Sequence, residues 1–138
     1  MRTSDLINRV QMLCPAFAMV EHALTSSADE TFPAAMITPS KVEALPDGLY
    51  GVGITSQIVT QTYSIFILLR RAQDTNFTSK AEDLDTLTDQ LRAALVGWQL
   101  DGNHGPMNLV GAMLDKFHTG VVCWREDYST ETELRITR

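Results

Sequence analysis

The residues of this chain best suited to chemistry lie near its end, in "CWREDYSTETELR" at 123–135. Asp127, Glu131 and Glu133 have the same parity, so on a strand they share one face. Three carboxylates on one face suit the divalent cation of a metal-dependent nuclease. The structural reading is the stronger one. Acids and arginines alternating along a strand are a common guard against edge-to-edge association, and Arg135 and Arg138 neutralise the charge that a cation requires.

The other candidate sites are weaker. His22, His104 and His118 are far apart, and none has a partner at metal-ligand spacing. Asp101, Asn103 and His104 in "DGNHGP" read as a polar turn before they read as a cation site. A nucleophilic Cys14 or Cys123 needs a histidine base, and His118 is separated from Cys123 by a turn. Both cysteines have apolar neighbours and read as buried, unpaired thiols. "GLYGVG" lacks the lysine and the following helix of a phosphate loop. No catalytic residue, metal ligand or cofactor site is expected.

The elements that would position these residues can be read from periodicity. "TSDLINRVQMLCP" predicts a helix capped by Thr3 or Ser4, with Leu6, Ile7, Val10 and Leu13 on one face and Pro15 as its stop. Residues 16–24 read as a strand, and 34–40 as a short strand in which Pro39 marks an edge or an end. Pro46-Asp47-Gly48 is a turn. "QIVTQTYSIFILLRR" (57–71) is the strongest strand: Val59, Tyr63 and Ile65 fall on one side and Thr60, Thr62 and Ser64 on the other. Its second half is apolar on both sides, which implies cover on both faces or an interface on one.

Residues 79–99 predict a long helix. Ser79 and Glu82 have capping-box spacing, and Leu84, Leu87, Leu91, Leu95 and Trp98 form a stripe. A loop over 100–106 leads to a strand at 107–114 with Gly111 as a bulge. "DKFHTG" turns the chain, and 120–138 closes it as a hairpin of two pairing segments. Strands outnumber helices without regular alternation. The expected fold is α+β: a mainly antiparallel sheet with two helices packed on one face, in one domain over 1–138.

Composition narrows the function classes. The 138 residues are 44% hydrophobic, enough for a core, and the net charge is −6. The eleven basic residues are scattered, which argues against sequence-independent DNA binding, and no specific nucleic-acid recognition is expected. No apolar run reaches the roughly 20 residues of a membrane helix, and "MRTSDLINRV" has no apolar signal core. These features point to a protein of the cytoplasm.

Three stretches carry a family resemblance: the helix ending in "LRAALVGWQ" with its Gly/Pro loop and "MNLVGAML", the closing "GVVCWREDYSTETELR", and the opening "TSDLINRVQMLCPAF". Together they resemble the tail-terminator (tail-completion) proteins of long-tailed bacteriophages. The least family-like region is 40–60. The resemblance implies a structural virion-tail subunit, assembled in the host cytoplasm, that forms a homo-oligomeric ring, usually a hexamer. The ring would cap a tube of the major tail-tube protein and join it to a head-side connector, with no cofactor and no covalent chemistry. DNA would pass through it. A head-tail connector adaptor is the nearest rival role. On this reading the subunits meet through the 57–71 strand and the closing hairpin. The expected interface residues are Phe66, Leu68, Arg70, Arg71, Trp124, Arg125, Glu126, Asp127 and Tyr128.

Overall fold

The computed structural model describes residues 1–25, 31–45, 49–51, 53–70, 77–118 and 120–137. Helix α1 spans Thr3–Leu13. The Asp5 carboxylate accepts the backbone N–H of Arg2 at 2.9 Å, so Arg2 holds the cap position expected for Thr3 or Ser4. Leu6 and Val10 are fully buried, whereas Leu13, in the last turn before Pro15, is exposed.

Strand β1 (Met19–His22) lies parallel to β2 (Ala34–Ala44). β2 runs past its expected end, with Pro39 inside it at a register shift between Pro39 and Lys41. β1 ends opposite Ile37, so Pro39 lies where β2 has already become an edge strand on that side. The short β3 (Leu49–Gly51) pairs with the start of β4 (Ile54–Arg70). The expected Pro46-Asp47-Gly48 turn lies outside the described residues.

Helix α2 spans Phe77–Leu95. It begins two residues before Ser79, which is therefore inside the helix instead of capping it. Gly97, with φ +82, breaks it, and its N–H reaches the carbonyl of Met107 at 2.8 Å. Trp98 thus lies just beyond the helix, with the Arg9 guanidinium 5.2 Å from its ring centre.

The end of the chain differs most from expectation. β5 (Asn108–His118) runs on through the residues expected to turn, with bulges beside Gly111 and at Asp115. β6 (Val121–Thr137) is one unbroken strand of 17 residues and not a hairpin. No Gly, Pro or Asn interrupts it, and β4 pairs with it along its entire length, from Arg70 opposite Val121 to Ile54 opposite Thr137. The hairpin is instead the β5–β6 pair.

The six strands run in the order β1-β2-β4-β6-β5, with β3 beside β4. Every pairing except β1–β2 is antiparallel. Alternation gives the sheet two unlike faces. On one, Ile37, Tyr63, Ile65, Ile67, Leu69 and Tyr128 pack against Leu6 and Val10 of α1 and Leu87, Leu91 and Leu95 of α2. Among the described residues both helices lie on this face, as the α+β reading requires. No described helix is long and apolar enough to cross a membrane.

Candidate interaction surface

The β4–β6 register separates the expected interface residues into two groups. Ile65, Ile67 and Tyr63 stand opposite Glu126, Trp124 and Tyr128, on the helix-covered face. Phe66 and Ser64 stand opposite Arg125 and Asp127, and Leu68 opposite Cys123, on the far face.

The covered group belongs to the interior. The Glu126 side chain is 0% exposed. Arg92 of α2 donates to it through a terminal nitrogen at 2.6 Å and more weakly through Nε at 3.4 Å. Trp124 Nε1 donates at 3.1 Å and the Tyr128 hydroxyl at 2.8 Å. A buried carboxylate is tolerated only with such complete pairing. Burial pushes the Tyr128 phenol far above its ordinary value, and its bond to the Glu126 carboxylate adds to the rise. The hydrogen bond to Glu126 likewise raises Arg92. Glu126 and Tyr128 therefore fasten α2 to the sheet and are not at hand for a partner.

The far-face group forms a surface. Asp127 accepts from Ser64 at 2.6 Å and from Arg125 Nε at 2.9 Å. The Arg125 guanidinium lies 5.8 Å from the Phe66 ring centre, and Phe66 and Leu68 are half-buried. Beside them is a groove of about 420 Å³, bordered by Lys41, Thr60, Thr62, Arg125, Asp127 and Ser129. Arg70 is exposed at the strand end, its guanidinium 5.4 Å from the Phe32 ring centre. Arg71 lies outside the described residues.

Asp127, Glu131 and Glu133 do share the far face. Asp127 is already engaged by Ser64 and Arg125, and Glu133 accepts from Ser56 at 2.7 Å. No cluster of three or more metal-ligating side chains occurs among the described residues. Cys14 and Cys123 are free and buried, and burial pushes both thiols up to about 11.

Two features were not foreseen. His104 is buried, with Nδ1 at 2.6 Å from Asp101 and Nε2 at 2.7 Å from the Met1 amino nitrogen. This bond lowers Asp101. The Asp-x-x-His spacing was its only signal. The second is an arm. Beyond Val59 and Thr130 a ribbon of β4 and β6, edged by the end of β2 and then by β3, leaves the helices behind, and it carries exposed Leu45, Ile58, Leu134 and Ile136. The sign of it was strand length: 17 residues span about 56 Å at 3.3 Å each, against about 28 Å for a 19-residue helix.

A helix-backed sheet with its polar groups paired inside, and with strands that outrun the core, marks a protein that works through its surfaces. The sequence places it more narrowly. The family model described as phage tail terminator protein matches residues 1–138, and the chain belongs to that family. Its role is that of a structural component of the phage tail. No curated protein matches the chain.

Proposed function

We propose that the chain, acting as one domain, assembles into a ring, with six copies implied by the family resemblance, that caps the finished tail tube. One side of the ring meets the major tail-tube protein and the other the head-side connector. The subunit does this without cofactor or catalysis, and assembly takes place in the host cytoplasm before the ring becomes part of the virion tail. The observation that carries the reading is the family match over all 138 residues. The far face of β4 and β6 supports it: Phe66, Leu68, Arg70 and the Arg125–Asp127 pair offer apolar area with fixed charges for register.

The test is electron microscopy of isolated tail tubes mixed with the purified protein. A density capping one end of each tube is the expected result, with Arg125→Glu reducing the capped fraction. Binding to the connector but never to tube ends would favour the adaptor role instead. Metal-dependent cleavage of plasmid DNA that disappears in Asp127→Ala would defeat the structural reading.

A further inference from the structure

The arm extends past both helices with apolar side chains in water. Its free edge, Leu134–Thr137, carries Leu134 at 46% and Ile136 at 41% exposure, with Ile58 at 43% on the adjacent strand. Beyond Glu133 the only charge among the described residues of its tip is Arg135. Seven residues of β6, the facing stretch of β4 and a third lane made by the end of β2 and by β3 give a ribbon of about 23 by 14 Å, so both faces together offer ~600 Å². That approaches the ~800 Å² per partner of a specific protein interface.

A complementary surface lies at the other end of the same molecule. Glu82, Asp85 and Asp89 recur at i, i+3 and i+7 on the outer side of α2, and all three are exposed. Ala16, just past α1, lines the same cleft as Thr86 and Leu87, which brings the exposed Met12 and Leu13 to this end. The cleft also includes Leu69, and eleven residues of β4 separate Leu69 from Ile58, about 36 Å of strand. An arm cannot fold back over that distance onto its own α2.

We propose that the arm of each copy docks edge-on on the next copy, with Leu134 and Ile136 on one of its faces against Met12 and Leu13 and with Arg135, on the opposite face, toward the acidic stripe of α2. The inference rests on the ring reading and specifies its contact. Because the two patches are different and lie at opposite ends, the contact is head-to-tail, the type that propagates and can close into a ring.

Sedimentation velocity separates the possibilities. The arm variant is Leu134→Asp with Ile136→Asp; the helix variant is Glu82→Lys with Asp85→Lys and Asp89→Lys. All these sites are exposed, and unchanged circular dichroism and melting check that each variant folds. Each alone should stay monomeric where the wild type forms rings. Mixed one to one they should stop at a two-subunit species, because only one contact remains possible. Arg135→Glu alone should weaken association about tenfold, and combining it with the helix variant should restore assembly. An arm variant that still forms rings overturns the docking while leaving the ring intact. One that forms rings yet no longer caps tubes makes the tube protein the arm's occupant, and also overturns it. A wild type that never associates removes the ring reading and this contact with it.

Discussion

β4 and β6 pass through two environments without a break. Around Ile65 and Glu126 they are roofed by helices, and each polar group that faces inward is paired. Around Ile58 and Leu134 the same two strands stand in water. The hydrogen-bonded ladder is equally regular in both halves. The ladder thus does not by itself distinguish core from arm. What separates them is the side-chain layer laid over one half. An isolated ribbon of two or three strands is marginal in water, so the covered half stabilises the arm through the continuous strands.

This contrast yields a graded set of outcomes. The largest effect should come from Leu91→Ala, which empties a fully buried site between α2 and the sheet and should cost about 4 kcal/mol in denaturant unfolding. Arg92→Ala should follow closely, at about 3 kcal/mol, because it strands the Glu126 carboxylate in the interior. A smaller loss would mean that water reaches Glu126.

At the boundary between the halves, His104→Ala should cost about 1–2 kcal/mol through loss of the hydrogen bonds of a buried imidazole. It should also change the acid limb. Asp101 is held below its ordinary value in the folded protein, so its contribution is present above the unfolded value of about 4 and is lost as pH falls through the lower folded value. Thermal melts between pH 5 and 2 should therefore show a shallower acid limb in the variant. The smallest effect should be Ile136→Ser on the arm, within about 0.5 kcal/mol for the isolated subunit. A cost comparable to Leu91→Ala would show that the arm folds back on its own chain, and would erase the comparison.

Much of the covered half could be read from the sequence. The stripe Leu87, Leu91 and Leu95 and the alternation of Tyr63 and Ile65 report burial directly, because periodicity is imposed by a core. Two further features escaped for a shared reason. Glu126 sits in a run of charged residues that looks solvent-facing, yet Arg92 neutralises it once the fold brings α2 over β6, beside the bonds it accepts from Trp124 and Tyr128. Pairing across 34 residues leaves no local trace. The division of "TGVVCWREDYSTETELR" into two segments failed for a related reason: a strand ends where its partner ends, and the partner here is 17 residues long. Among the expected interface residues, parity was the missing discriminator. It assigns Arg125 and Asp127 to one face and Trp124, Glu126 and Tyr128 to the other.

The position of β6 in the sheet also dictates an order of events. It follows the other described strands in the chain, yet it lies between β4 and β5. Among the described residues β5 pairs with no other strand. While the ribosome is still making residues 121–137, β4 has an open edge along its whole length and β5 has nothing to join. The pairs that complete the sheet bring Ile54 to Thr137, across most of the chain, so the slow, non-local step comes at the end. A nascent subunit is therefore a sticky intermediate until its final strand slots into the middle, and arrest or truncation within that strand should send it to aggregates or chaperones instead of to a partly folded but usable protein.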